Sequence, residues 1–290
     1  MSSYVFAYGT LRKGECNHEQ LQGARLIAAQ AKTKGELYDT HKGYPMLDIS
    51  NKGFVYGEVY EVCDPKQWER LDELEGYIEH EHPQNEYHRT IQTVYTDCGP
   101  VEAVVYTTGS NRGLLKEKIP LGDWRIWKAN LSESIYYFAY GSCMDHDRFI
   151  KHGVDQHFTN CLGKGTLSGY SLRYTHITDD GGRADMVEEG GIVEGKLYQV
   201  SREAVDYLYA REGVHSEKYR PALISVEHKG RMLDDVLTFF VVNKQPETAP
   251  PDHYATELIR GSTGSLSDSY VKKLQEQVVE LKQAQATMKK

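Results

Sequence analysis

The sequence predicts an α+β protein that consists of two related domains in tandem. The chain has 290 residues, the length of about two ordinary domains. The tetrapeptide Phe-Ala-Tyr-Gly occurs at residues 6–9 and again at residues 138–141, and a hydroxyl residue follows it each time, Thr10 and then Ser142. Strand and helix patterns follow both copies in the same order, which indicates an internal duplication.

The order in each half is a strand with a glycine turn, a strand pair, a helix and two further strands. The first helix is predicted to begin after Asp64 and Pro65, which suit the N-cap and the first helical position, and to end at Gly76. The second helix is predicted between Ser201 and Gly213. Apolar runs predict the later strands of the two halves at residues 90–94, 101–107, 222–226 and 236–242.

Equivalent positions lie at a nearly constant separation, 132 residues between Tyr8 and Tyr140 and 137 between Leu71 and Leu208. We therefore predict a first domain at residues 1–115, a linker at 116–133 and a second domain at 134–290. The linker contains two tryptophans, which favours packing over a free tether. The second domain ends in a helix, because apolar residues recur at helical spacing at 271, 274, 278 and 281.

Composition weighs against several classes of function. The net charge is −8, from 34 basic and 42 acidic side chains, which weighs against binding to nucleic acid or to an anionic membrane. We see no long apolar run and no signal peptide, so we expect a cytoplasmic protein. The cysteines are odd in number and form no CxxC motif, which favours reduced thiols over a disulfide framework or a zinc site; they are Cys16, Cys63, Cys98, Cys143 and Cys161.

Each predicted helix turns one glutamate toward its apolar face. Glu75 lies four residues after Leu71, and Glu212 lies four residues after Leu208, so each carboxylate shares the face of that leucine. Apolar surroundings raise the pKa of a carboxyl group and make it a competent base near neutral pH. The alternative is a structural acid that pairs with an arginine or caps a backbone group.

The repeated glycine turn is the natural partner of that glutamate. A strand ends there, glycine lets the backbone turn, and successive backbone N–H groups can point into one hollow that binds an anionic oxygen. The alternative is an ordinary strand-to-loop turn in which glycine only relieves strain. Because turn and inward glutamate occur together twice, the sequence favours a functional pair in each half.

These segments resemble the γ-glutamylcyclotransferase-like family. The matching pieces are FAYGTLR (6–12) and FAYGSCM (138–144), LDELEGY (71–77) and LYAREGV (208–214), with GYP (43–45), VYGEVYEV (55–62) and IVEGKLYQV (192–200). The first half is most similar to the branch that acts on γ-glutamylamines. The second half, with ADM (184–186) and its tail at 252–275, is more similar to the branch that acts on γ-glutamyl amino acids. The arrangement is similar to a bacterial two-domain version of the family.

The resemblance implies a small mixed β-barrel with packed helices in each half and a cavity at its mouth. It implies an acyltransferase that releases 5-oxoproline and a free amine or amino acid from an L-γ-glutamyl compound, without metal or cofactor. The family's catalytic glutamate corresponds to Glu75 and Glu212. Its binding loop corresponds to two sets of residues, Tyr8, Gly9, Thr10 and Leu11 in the first half and Tyr140, Gly141, Ser142 and Cys143 in the second.

The second loop departs from the family pattern, because Cys143 stands where that branch usually has asparagine. A catalytic thiol would need a base such as histidine, and the local sequence shows no clear histidine partner, so a small-residue replacement is the favoured interpretation. The departure leaves the activity of the second site open.

Other sites receive little support from the sequence. HEHP (80–83) with His88 lacks a clear third metal ligand, and neither GxGxxG nor GxxxxGK[ST] is present. The expected partner is a small γ-glutamyl substrate, with no nucleic acid and no membrane, and the oligomeric state stays open, monomer included. The alternative function is a catalytically silent module of the same fold that binds a small molecule or a protein.

Overall fold

The computed structural model describes residues 3–129 and 134–288. The chain divides into two compact units, residues 1–129 and 130–290. Each unit contains a closed five-stranded barrel together with helices, which confirms the predicted tandem α+β domains.

The elements of the first unit are β1 (Tyr4–Ala7), β2 (Arg25–Lys34), β3 (Glu36–Asp39), β4 (Pro45–Asp48), β5 (Phe54–Glu61), α1 (Pro65–Leu74), β6 (Tyr87–Thr96), β7 (Gly99–Thr108), β8 (Glu117–Lys118) and α2 (Trp124–Lys128). The barrel has the strand order β1-β5-β2-β6-β7, in which β1 runs parallel to β7 and antiparallel to β5. The other strands form a smaller sheet of order β4-β3-β8.

The elements of the second unit are β9 (Ile135–Ala139), α3 (His146–Lys151), β10 (Cys161–Ser168), β11 (Ser171–Thr178), β12 (Gly181–Val187), β13 (Ile192–Val200), α4 (Arg202–Arg211), β14 (Tyr219–His228), β15 (Arg231–Val241), α5 (Asp252–Ser262) and α6 (Asp268–Met288). The barrel has the equivalent order β10-β13-β9-β15-β14, and β9 again runs parallel to the last strand, β15. A hairpin of β11 and β12 lies outside the barrel sheet.

One glycine in each barrel explains part of the repeated sequence. A Cβ atom on Gly57 would lie 2.3 Å from the carbonyl oxygen of Ala7, and one on Gly195 would lie 2.4 Å from that of Ala139. The strand that leads into the glycine turn therefore packs directly against a residue without a side chain. This close approach places the turn at the same point of both barrels.

The two predicted helices begin and end where the sequence indicates. The Asp64 side chain accepts a hydrogen bond from the backbone N–H of Lys66 at the start of α1. At the other end, Gly76 and Gly213 have φ values of 60° and 63°, a left-handed conformation that suits glycine after a helix. Glu75 and Glu212 are thus the last residues before the chain leaves each helix.

Residues 116–129, predicted as most of the linker, lie within the first unit. Strand β8 pairs with β3, and Trp124 of α2 is buried in the core of the barrel. Asp123 caps α2 and also accepts a hydrogen bond of 2.7 Å from buried Arg12, which follows the first glycine turn. A two-residue strand and a five-residue helix are too short for a sequence pattern to assign to a domain. Residues 130–133 of the predicted linker lie outside the described residues.

In the described part of the chain, no helix has the length and apolar character needed to cross a membrane.

Replacing Asp123 by alanine is expected to destabilise the first unit by about 3 kcal/mol, because it removes a buried partner of Arg12 and the cap of α2 together. All three tryptophans, Trp68, Trp124 and Trp127, belong to the first unit, so urea unfolding followed by tryptophan fluorescence measures that unit. Glu61→Gln is the control, because its partner Arg25 is exposed, and it should cost less than about 1 kcal/mol. Equal losses in the two variants would contradict the prediction.

Candidate active site

The first unit contains a cavity of about 250 Å³ between the glycine turn and the end of α1. The four predicted loop residues and Glu75 all line it. The structure therefore brings together every site residue that the sequence nominates in the first half; these are Tyr8, Gly9, Thr10, Leu11 and Glu75.

The Glu75 carboxylate faces this cavity without a bonding partner. It accepts no hydrogen bond and forms no ion pair among residues 3–129. Desolvation by burial, with a further contribution from the negative charge of Glu86, raises the pKa of Glu75 to about 8. A group with that pKa is poised to exchange a proton near neutral pH.

Glu86 and Tyr44 also line the first cavity, and sequence reasoning missed both. The Tyr44 hydroxyl donates a short hydrogen bond to Oε1 of Glu86. Glu86 immediately precedes Tyr87, the first residue of β6. The tyrosine that follows each predicted helix was therefore the sequence signal that could have pointed to Glu86. The first cavity thus holds two carboxylates, and its lining includes no lysine, arginine or histidine among the described residues.

Asn17 holds the glycine turn of the first unit in place beside the cavity. The Asn17 side-chain amide donates to Oγ1 of Thr10 at 3.1 Å, and the N–H of Asn17 donates to the Thr10 carbonyl at 3.0 Å. The backbone N–H groups of Thr10 and Leu11 donate no hydrogen bond to the described residues. They are therefore available to a ligand oxygen in the cavity.

Tyrosine hydroxyls fix the walls of both cavities by the same contacts. In each unit, the tyrosine of the glycine turn and the tyrosine that begins the strand after the helix donate to backbone carbonyl oxygens. The four bonds are Tyr8 to Tyr106 (2.6 Å), Tyr87 to Pro45 (2.8 Å), Tyr140 to Phe239 (2.5 Å) and Tyr219 to Ala184 (2.8 Å). The walls of the two cavities are therefore built alike, and the differences between them lie in other side chains.

The second unit has a cavity of about 230 Å³ at the equivalent place. It too is lined by all the residues that the sequence nominates in its half; these are Tyr140, Gly141, Ser142, Cys143 and Glu212. Its electrostatics differ, because Arg148, Arg183, Arg211 and Lys218 also line it. None of these four cations repeats in the first half, so a search for repeated motifs could not find them.

Glu212 is not free in the way that Glu75 is. The Nε atom of Arg211 lies 3.6 Å from its Oε1 atom, and the Cys143 thiol donates toward the same oxygen at 3.6 Å. Burial raises the pKa of Glu212, while the charge of Arg211 opposes that rise. An inward glutamate that pairs with an arginine fits the structural alternative that the sequence left open. Because Glu212 lies beside Arg211, the support for a free base is weaker in the second cavity than in the first.

The Cys143 thiol is held in its protonated form. Burial raises its pKa, although the adjacent Arg211, whose Nε donates to the sulfur at 3.1 Å, acts in the opposite direction. A protonated thiol is a poor nucleophile. The residue serves here as a hydrogen-bond donor to Glu212 within the loop.

Family models match both halves of the chain. Residues 5–126 match the model described as "Gamma-glutamyl cyclotransferase, AIG2-like", and residues 192–274 match the model described as "AIG2-like family". The first match includes the glycine turn and Glu75. The second begins at β13 and includes Glu212, whereas the second glycine turn precedes it.

Known proteins similar to the chain include one that matches it over nearly its whole length. "Putative gamma-glutamylcyclotransferase YkqA" of Bacillus subtilis (strain 168) is 42% identical over 278 residues, which are 94% of this chain and 96% of that protein. The crystal structure of YkqA matches with a TM-score of 0.85 at 43% identity and covers 97% of this chain and 99% of its own. "Gamma-L-glutamyl-butirosin B gamma-glutamyl cyclotransferase" of Niallia circulans is 46% identical over 74 residues, 26% of this chain and 46% of that protein. The chain therefore belongs to the γ-glutamylcyclotransferase-like family and carries two of its domains in tandem.

Proposed function

We propose that the chain is a γ-glutamyl cyclotransferase, an acyltransferase that releases 5-oxoproline and a free amine or amino acid from an L-γ-glutamyl compound. The observation that carries this proposal is the Glu75 carboxylate, which is desolvated, lacks a partner among the described residues and shares its cavity with the unbonded N–H groups of Thr10 and Leu11. A base and an anion-binding loop on one small cavity are the two parts that this reaction requires.

The reaction is an intramolecular aminolysis. The α-amine of the substrate attacks its own γ-carbonyl carbon, a new C–N bond closes the five-membered ring, and the bond to the departing nitrogen breaks. Since nucleophile and electrophile belong to one molecule, the enzyme mainly supplies geometry and proton transfer. Glu75 takes a proton from the α-ammonium group and passes it to the departing nitrogen. The attacking nitrogen loses a second proton as the ring closes, and this proton goes through Glu75 to the released amine or to solvent, while the Thr10 and Leu11 N–H groups stabilise the oxyanion.

The second cavity carries out the same reaction in this proposal, with Glu212 as the base and the loop of Ser142 and Cys143 around the carbonyl oxygen. One contact favours a different role for this unit. Because Arg211 lies beside Glu212, the second cavity can instead be a silent binding site for a ligand with a negative charge. We further propose a cytoplasmic setting, in which the five cysteines stay reduced thiols.

Glu75→Gln is expected to lower 5-oxoproline release from the substrates of the first unit by about 10²- to 10⁴-fold, since the amide cannot accept the proton. Release is measured on γ-glutamylamines, γ-glutamyl amino acids and glutathione with the wild type, Glu75→Gln, Glu212→Gln and the double variant. Glu69→Gln, an exposed residue of α1, is the control and should match the wild type. A substrate whose release survives Glu212→Gln but not Glu75→Gln belongs to the first unit. If folded wild-type protein releases 5-oxoproline from no member of the panel, the proposal fails.

The activity of the first unit should rise with pH through about 8. Below the pKa of Glu75 the carboxyl group is protonated and cannot act as a base, so kcat/KM in the Glu212→Gln background should fall about tenfold for each pH unit. Glu86→Gln should shift this limb to lower pH, because the charge of Glu86 contributes to the raised pKa of Glu75. Titration of the substrate's own ammonium group would not move with that variant. A profile that does not shift would therefore assign the limb to the substrate and contradict the role of Glu75.

A further inference from the structure

The two cavities have opposite charge. Among the described residues, the first is lined by two carboxylates, Glu75 and Glu86, and by no basic side chain. The second is lined by one carboxylate, Glu212, and four permanently or usually cationic side chains; these are Arg148, Arg183, Arg211 and Lys218. Cavities that share a frame and differ in charge are expected to prefer ligands of different charge.

Glu86 and Lys218 occupy the same position in the two units. Each precedes the first residue of the strand after the helix, Tyr87 or Tyr219. The backbone N–H of Glu86 donates to the carbonyl of Gly76 at 3.1 Å, and that of Lys218 donates to the carbonyl of Gly213 at 3.2 Å. Both glycines directly follow the inward glutamate.

The carbonyl groups of Glu86 and Lys218 are also used alike. That of Glu86 accepts from Gly109, and that of Lys218 accepts from Val242, each at 3.1 Å. The chain thus presents a carboxylate and an ammonium group at one equivalent point, beside the base of each cavity.

Both charged ends are available to a ligand. Oε1 of Glu86 accepts the Tyr44 hydroxyl, while Oε2 accepts no hydrogen bond from the described residues. Lys218 is exposed, and its ammonium group has no partner in residues 134–288.

The three arginines of the second cavity are already compensated. Arg148 pairs with Glu257, Arg183 with Asp180, and Arg211 with Glu212. Lys218 is therefore the cation of this lining whose charge no described carboxylate offsets.

We infer that Glu86 and Lys218 select the charge of the amine that each cavity releases. This inference rests on the proposed cyclotransferase function. The first cavity takes γ-glutamyl compounds whose departing amine carries a second, positively charged group, which Glu86 attracts. The second takes compounds whose departing amine carries a carboxylate, which Lys218 attracts. Both are specificity-determining residues, and the proton transfers stay with Glu75 and Glu212.

Three probes of nearly equal size test this selection: γ-glutamylputrescine, γ-glutamylbutylamide and γ-glutamyl-γ-aminobutyrate. Their departing groups end in an ammonium group, a methyl group and a carboxylate. Release of 5-oxoproline is measured in the Glu212→Gln background for the first cavity and in the Glu75→Gln background for the second. In the first cavity we expect kcat/KM to be at least about tenfold higher for the ammonium probe than for the carboxylate probe, and in the second cavity we expect the reverse. This ratio corresponds to one ion pair gained and one repulsion avoided.

Charge reversal at the two positions gives the sharpest comparison. Glu86→Lys should reverse the preference of the first cavity, and Lys218→Glu that of the second. The ratio between probes is the readout, because Glu86→Lys also changes the pKa of Glu75 and so affects all probes together. Glu69→Lys and Lys151→Glu, both exposed and outside the cavity linings, apply the same charge changes elsewhere and should leave the ratios unchanged.

Two conservative variants, Glu86→Gln and Lys218→Gln, keep the test valid if a charge-reversal variant fails to fold. Glu86→Gln keeps an acceptor for Tyr44, and Lys218→Gln keeps a side chain of similar reach, so each should abolish the preference without reversing it. Release that proceeds with unchanged ratios in the reversal and conservative variants would overturn the inference and leave the cyclotransferase function standing.

Release from none of the probes would instead count against the cyclotransferase function. Calorimetric binding of the same probes would then decide the charge preference by itself. An affinity order that reverses with the substitutions supports the inference, and an order that does not reverse refutes it.

Discussion

A desolvated carboxylate at the C-terminal end of a helix is the constraint on which both halves of this chain depend. The end of a helix is electrostatically unfavourable for a negative charge. Burial adds a further cost, which raises the pKa of Glu75 to about 8. The helix must end at that residue, which the left-handed glycine after it allows. The barrel must also leave a hollow in front of it, which the glycine turn and its tyrosine provide.

The loop opposite the carboxylate is anchored in both units by a charged residue of the barrel, but with opposite sign. In the first unit Glu58 accepts the backbone N–H of Lys13 at 2.9 Å and pairs with Arg12. In the second unit the equivalent residue after the barrel glycine is Lys196, which donates to the carbonyl of Met144 at 2.8 Å. A backbone segment offers both donors and acceptors, so either sign can hold it in place. The anchor can therefore change sign while the loop stays where it is.

The sequence was sufficient for the tandem organisation, the helix ends and the residues that line both cavities, because these depend on repeated local patterns. The barrel itself was implied only by the resemblance to the family. Glycine after a helix, an apolar face at a spacing of four and a strand that ends in a glycine turn are each visible within a few residues. Glu86, Lys218 and the arginines of the second cavity were not visible in this way. Arg148 and Arg183 reach Glu212 only through the fold of the barrel, because both lie far from it in sequence. Glu86, Lys218 and Arg211 lie close in sequence to the glutamate of their unit, but a single charged residue there is typical of any solvated surface. The segment that contains Asp123 was separated from the first domain for a related reason, since its contact with Arg12 spans 111 residues of sequence.

The two units share the bonds that shape their cavities and differ in the charged side chains at the cavity edge, and this difference has a physical basis. The tyrosine hydroxyls that shape both cavities donate to backbone carbonyl oxygens, and such bonds do not depend on which side chains the neighbouring residues carry. A cavity held by bonds to the backbone keeps its shape when a carboxylate at its edge is exchanged for an ammonium group. Such an exchange changes the pKa of the inward glutamate and the charge of the ligand that the cavity prefers. These two properties determine what the cavity does. A duplicated domain built in this way can therefore acquire a second electrostatic environment without rebuilding its frame.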